Sequence, residues 1–214
     1  MRSILPRSAT GFRQLLSFRV LWLGALVLFP ACNDDCDDVP LFSLSADQRA
    51  WAAPYATGDV LRFHNAAGYE RTYRVQSTTQ THRDMGSLGT YGPSCPDYTR
   101  EYTEVRLVRT DSVAAPADAV HAFVLAATNP YEPFHATLQW GSSIFTAPLL
   151  AIEGGRLTLG PISFAGRQYP RVLTLSDDDR VAGPASQPRV AAVYLTKAEG
   201  VVAFTERNEQ WIRR

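Results

Sequence analysis

The sequence has few cysteines and no long apolar run, and each shortage excludes a class of protein. Only Cys32, Cys36 and Cys95 occur, too few for a disulfide-dense scaffold, and no Cys-x-x-Cys pair suggests a zinc site. The apolar stretch over residues 20–31 has 12 residues, whereas a membrane-spanning helix needs about 20. The sequence therefore predicts no transmembrane helix.

Recognisable catalytic and metal-binding motifs are also missing. The chain contains no Gly-x-Ser-x-Gly and no His-Glu-x-x-His. The acidic run over residues 177–179 lacks the alternating ligands and central glycine of a calcium-binding loop. The four histidines are scattered along the chain: His64, His82, His121 and His135. We therefore predict no catalytic residue, no metal site and no cofactor, and we expect a protein that is not an enzyme.

The balance of charge argues against nucleic acid as a partner. The chain has 21 basic and 21 acidic residues, but four of the arginines precede Cys32. The part from Cys32 onward is therefore mildly acidic, with a net charge of about −4. Phosphate contacts need concentrated positive charge, so we predict no binding to nucleic acid.

The first 31 residues have the order of parts that an export signal requires. Four arginines precede the apolar run, and the small residue Ala31 lies directly before Cys32. Pro30 disfavours helix at this point, which leaves the segment before Cys32 extended and accessible for cleavage. Residues 1–31 are therefore predicted to be a signal peptide.

The segment Leu28-Phe29-Pro30-Ala31-Cys32 resembles the signal of bacterial lipoproteins, although Phe29 and Pro30 depart from the usual motif. The resemblance implies that the Cys32 thiol receives a diacylglyceryl group, with palmitate-type acylation of the new N-terminus. The alternative is ordinary secretion with cleavage nearby. If the anchor is present, the protein is tethered to a membrane by lipid.

An acidic segment, Asn33-Asp34-Asp35-Cys36-Asp37-Asp38, follows Cys32 directly. Like charges extend a chain, so residues 32–43 are predicted to be a tether. Acidic residues in this place resemble the export signal of Bacteroidota-type outer-membrane lipoproteins. The resemblance implies the outer membrane, with the domain facing either outward or into the periplasm.

If Cys32 carries lipid, Cys36 and Cys95 remain as one pair. An oxidising compartment permits a disulfide between them, closing a loop of roughly 60 residues worth on the order of 4 kcal/mol. Two unpaired thiols are the alternative.

Residues 44–214 are predicted to form one all-β domain, an antiparallel curved sheet that makes a barrel or half-barrel. Apolar residues alternate with polar ones in about ten segments separated by short turns. One short N-terminal helix is expected over residues 46–53, because Ser45 and Gln48 have the spacing of a capping box. Glu153-Gly154-Gly155-Arg156 is predicted to be a hairpin turn between strands 149–152 and 157–159, and the alternation of residues 98–109 suggests a β-bulge near Glu104.

The end of the chain, residues 193–204 followed by Trp211, resembles a strand-turn-strand element of uncharacterised Bacteroidota-type lipoproteins. We expect this meander to be structural, with Trp211 on the edge strand that closes the sheet.

The sequence favours a membrane-anchored, non-catalytic binding or interaction module at the outer membrane. Its partner is then an unknown envelope protein. The alternative is a carrier that holds a lipid or another hydrophobic ligand in a half-barrel cavity. A filled interior favours the first hypothesis, and an open cavity favours the second.

Overall fold

Strands dominate the computed structural model, which describes residues 38–86, 95–111, 120–176, 179–182 and 190–214. All of these residues belong to one unit, Asp34–Arg214. Two short helices lie among them, α1 (Ala46–Arg49) and α2 (Leu149–Glu153). The described strands are β1 (Leu41–Phe42), β2 (Val60–His64), β3 (Glu70–Met85), β4 (Tyr98–Arg109), β5 (Val120–Ala126), β6 (His135–Trp140), β7 (Ser143–Thr146), β8 (Gly160–Phe164), β9 (Arg167–Ser176), β10 (Arg180–Ala182), β11 (Val190–Thr196), β12 (Gly200–Glu206) and β13 (Glu209–Arg213).

The strands form one curled sheet, in the order β10-β7-β6-β5-β4-β3-β2-β13-β12-β11-β9-β8. Neighbours along this path pair antiparallel, whereas β1 adds to β4 in parallel, with Leu41 opposite Thr99. Without the very short β1 and β10, eleven described strands make an antiparallel half-barrel. The predicted all-β class and half-barrel architecture are therefore confirmed.

Period-two alternation places the core, as the sequence predicts. Leu61 and Phe63 of β2 are buried, and so are Ala136, Leu138 and Trp140 of β6. Aromatic rings fill the centre of the half-barrel, where the centroids of neighbouring rings lie 5.1–5.5 Å apart: Phe63, Tyr73, Trp140 and Phe204.

The predicted short N-terminal helix is present as α1, but residues 149–153 form a second helix, α2, where a strand was expected. Leu149 is fully buried and Ile152 packs against the same core, a spacing of three that suits a helix and not a strand. Gly155 follows with φ of +67°, a left-handed conformation that glycine adopts at no steric cost. The apolar run alone did not distinguish the two states.

The predicted β-bulge is displaced from β4 to its partner β3. Val75 lies opposite Leu107 and Ser77 opposite Arg106, so Gln76 is the additional residue. Burial in β4 changes its phase between Arg100 and Glu101, which are both buried. Arg100 is held by the carbonyl oxygens of residues 127 and 133 and by the Glu132 carboxylate, while Glu101 faces the core side.

The last strand is internal to the sheet, so the prediction that Trp211 lies on an edge strand is wrong. β13 pairs with β12 on one side and with β2 on the other, where Ile212 lies opposite His64. The beginning and the end of the domain therefore meet in the middle of the sheet.

Candidate functional site

The predicted cysteine sites fall mostly outside the described residues. Cys32 and Cys36 both precede residue 38, so the lipidation and the Cys36–Cys95 pairing stay predictions. Cys95 is disulfide-bonded. Thr99, four residues after Cys95, is the register partner of Leu41, five residues after Cys36. The parallel pairing of β1 with β4 is therefore compatible with the predicted bond.

The structure keeps the histidines apart. His121 is buried between Tyr73 and Trp140, with ring centroids at 4.9 and 4.6 Å, whereas His82 and His135 are exposed on separate strands. His64 lies at the end of β2, with its Nε2 atom 3.5 Å from Glu70. Among the described residues, no group of three or more histidine, cysteine, aspartate or glutamate side chains is arranged to hold a metal ion.

Sequence reasoning missed a buried carboxylate, that of Glu101, which fastens α1 to the sheet. Its oxygens accept hydrogen bonds from the Leu44 backbone N–H at 2.9 Å, from Arg49 at 2.7 and 2.8 Å, and from the Gln80 amide at 2.7 Å. The bond from Arg49 is the largest cause that holds the pKa of Glu101 below its usual value. The only signal in the sequence was the period-two alternation of residues 98–109, with its predicted β-bulge. That alternation did not reveal that Glu101 is buried.

Among the described residues, one candidate binding site is a cleft of about 510 Å³ at the end of the half-barrel. We call it the helix cleft, because α1 and α2 line it together with β9 and the turn between β11 and β12. Ile152, Leu159 and Pro170 give it apolar walls. Charged side chains of both signs also line it: Asp47, Glu153, Arg171, Lys197 and Glu199.

Capping of α1 positions one wall of the helix cleft. The Ser45 hydroxyl accepts from the Gln48 N–H at 3.0 Å, and the Gln48 side chain accepts from the Ser45 N–H at 2.9 Å. The amide nitrogen of Gln48 then donates to Glu153 at 3.2 Å, which links α1 to the end of α2. The predicted capping box is therefore present and contributes to the site.

The electrostatics of the helix cleft centre on Lys197, the only lysine in the chain. Its ammonium group lies 2.5 Å from an Asp47 oxygen and 5.7 Å from the centroid of the Trp51 ring. Burial raises the pKa of Glu153, and the nearby Asp47 charge acts in the same direction. The hydrogen-bond partner of Glu153 is the Gln48 amide, which does not titrate and cannot serve as an acid or a base.

One polar group in the lining of the helix cleft has no protein partner. The Trp51 N–H is buried without a hydrogen bond. A buried donor without an acceptor costs about 1–3 kcal/mol, so each such group in a cleft wall favours a ligand or water oxygen. The cleft is therefore equipped for binding through both polar and apolar contacts.

Comparisons of the chain with protein-family models, with curated proteins and with solved structures find no match.

Proposed function

We propose that this protein is a lipid-anchored, non-catalytic binding module of the outer membrane, and that it binds its ligand in the helix cleft. The observation that carries the proposal is the contrast between the packed aromatic interior and the open cleft of about 510 Å³. A binding pocket needs concave space with apolar walls and a few polar groups, and the cleft supplies both.

The same contrast weighs against the alternative of a carrier. Hydrophobic cargo inside the half-barrel would have to displace rings such as Phe63, Tyr73 and Trp140, which are 0–1% exposed. Replacing such contacts would cost several kcal/mol of packing energy, of the order seen when large core side chains are removed.

Membrane attachment rests on the Cys32 signal. Neither of the described helices, four and five residues long, could cross a membrane. We expect the mature protein to be labelled by palmitate and to sediment with outer membranes, and Cys32→Ser to abolish both. Equal labelling and retention of the two proteins would overturn the anchoring part of the proposal.

Binding in the helix cleft is tested by photocrosslinking in intact envelopes. A photoreactive residue replaces Arg171, which is exposed at the cleft, and in a matched control it replaces Arg74, which is exposed on β3. We expect a discrete adduct from position 171 and none from position 74. Absence of an adduct, or the same adduct from both positions, would contradict a site in the cleft.

A further inference from the structure

A second depression, of about 590 Å³, lies on the opposite face of the sheet from the aromatic core. We call it the outer groove. It runs between the turn of the β8–β9 hairpin, the strand β13 and the end of β2. Its floor includes Phe164, Tyr169 and Ile212, which belong to or pack against a small apolar cluster separate from the main core.

Positive charge is concentrated in the outer groove although the domain is mildly acidic. Three arginines line it, Arg167, Arg213 and Arg214, and among the described residues no aspartate or glutamate side chain does. Two of the guanidinium groups converge on one residue: Arg167 donates to the Glu199 carboxylate at 2.6 Å, and Arg213 donates to the Glu199 carbonyl oxygen. Paired guanidinium groups bind phosphate oxygens well, because their N–H groups match the geometry of the anion.

One further observation indicates a ligand here. The Tyr169 hydroxyl, in a residue only 2% exposed, has no hydrogen-bond partner. A buried polar group without a partner in the wall of a groove favours a ligand or water oxygen.

We propose that the outer groove binds a single anionic lipid, with its phosphate at Arg167 and Arg213 and the first part of its acyl chains on Phe164 and Ile212. The inference goes beyond the proposed function, because it concerns a different site and does not depend on the helix cleft. An apolar floor beneath a cationic rim is complementary to an anionic amphiphile, whereas a cationic ligand would be repelled by the arginines and a neutral one would gain no charge–charge attraction from them.

The test is calorimetric titration of the full chain carrying Cys32→Ser, so that no attached lipid competes for the groove. The probes are dihexanoylphosphatidic acid, dihexanoylphosphatidylcholine and inorganic phosphate, each below the concentration at which micelles form. We expect phosphatidic acid to bind at least tenfold more tightly than the other two. Equal affinity for the choline lipid, equal affinity for phosphate, or no binding at all would overturn the proposal.

Three variants test whether phosphatidic acid binds in the outer groove or is held by nonspecific electrostatic attraction. Arg167→Gln should weaken the binding of phosphatidic acid about tenfold, and it should fold because the Arg167 side chain is 56% exposed. Glu199→Gln should strengthen binding, because it releases Arg167 from its carboxylate partner. Arg74→Gln, outside the groove, should change nothing. If all three variants bind alike while thermal unfolding shows them folded, the groove is not the site.

Discussion

At the scale of single residues, two carboxyl groups, the buried Glu101 and the more exposed Glu153, respond to their surroundings in opposite ways. Glu101 receives four hydrogen bonds, two of them from Arg49, and its pKa is lowered. Glu153 receives one bond from an amide, and burial raises its pKa. The first group therefore stabilises the fold as a carboxylate, and the second resists ionisation in the helix cleft.

Glu101→Gln should destabilise the domain by about 1.5–3 kcal/mol at pH 7, because it removes charge-assisted hydrogen bonds from a buried site. The pKa of Glu101 is lower in the folded state than its ordinary value of 4.5. Its stabilisation is therefore complete above pH 4.5 and is lost as the pH falls through the folded-state pKa. Urea unfolding should be measured at pH 7 and below pH 4. The difference in the free energy of unfolding between wild type and variant should be smaller at the lower pH. Glu209→Gln, on an exposed residue, is the control. If the difference between wild type and Glu101→Gln did not depend on pH, the role of the Glu101 charge would be contradicted.

Gly200 provides a second test at this scale, because Tyr55 occupies the space beside it. A Cβ atom at Gly200 would lie 2.4 Å from the Tyr55 ring, whereas one at Gly155 would meet nothing within 4 Å. The two glycines have φ of +72° and +67°, so they share the same conformational penalty. We expect Gly155→Ala to cost about 1–2 kcal/mol and Gly200→Ala a further 1–3 kcal/mol from overpacking. Equal loss of stability in the two variants would show that the contact with Tyr55 does not contribute to the loss.

At the scale of elements, the end of the predicted tether, residues 32–43, belongs to the sheet as β1, and α1 follows it. β1 pairs with the start of β4, and α1 is held by Glu101 on one side and by Glu153 on the other. Tyr55 follows α1, and its hydroxyl accepts the N–H of Val201 at 2.8 Å while burial raises its pKa to about 12. The N-terminal segment therefore covers the end of the half-barrel and forms part of the helix cleft.

The Cys36–Cys95 disulfide belongs to this scale, because it would fasten the tether beside the pairing of β1 with β4. Alkylation of the mature protein without reductant should modify neither cysteine, and the peptides that carry them should be linked. Replacing either cysteine by serine should cost on the order of 4 kcal/mol, from the loop that the bond closes. A link between Cys32 and Cys95, or alkylation of both Cys36 and Cys95, would contradict this pairing.

At the scale of the whole molecule, the internal position of β13 makes the fold depend on the end of the chain. β13 joins the part of the sheet formed by β2–β7 and β10 to the part formed by β8, β9, β11 and β12. Trp211 stacks on Phe204 at 6.1 Å, and the Arg71 guanidinium lies 3.9 Å from the centre of its ring. β2 and β13 are far apart in the sequence, so their pairing forms only after the long loop between them has closed.

Trp211→Ala should cost about 3–5 kcal/mol and lower the melting temperature by roughly 10 °C, because it removes a large buried ring from the central seam. Truncation after Gly200 should abolish cooperative unfolding, since it leaves β2 and β11 without the strands between them. Arg207→Ala, in the exposed turn before β13, is the control. Its free energy of unfolding should be within about 1 kcal/mol of the wild-type value. A truncated chain that melted cooperatively at the wild-type temperature would contradict the central role of β13.

The sequence predicts features that depend on local patterns better than features that depend on contacts between distant segments. Period-two alternation is local, and it was sufficient for the all-β class and for most strands, just as the local spacing of Ser45 and Gln48 was sufficient for the capping box of α1. It was insufficient for α2, because a short apolar run such as residues 149–152 suits a helix or a strand until the core shows which side chains are buried. The helix cleft and the outer groove were not predicted, since each is lined by residues from distant segments.

The sequence by itself determined which residues alternate, where turns and the cap occur, and which N-terminal features resemble an export signal. Only the tertiary structure decided the order of the strands, the central place of β13, the burial of Glu101 and the concentration of arginines in the outer groove. The physical reason is that side-chain direction along a strand follows from the chain itself, whereas neighbours across a sheet depend on which distant strands pair.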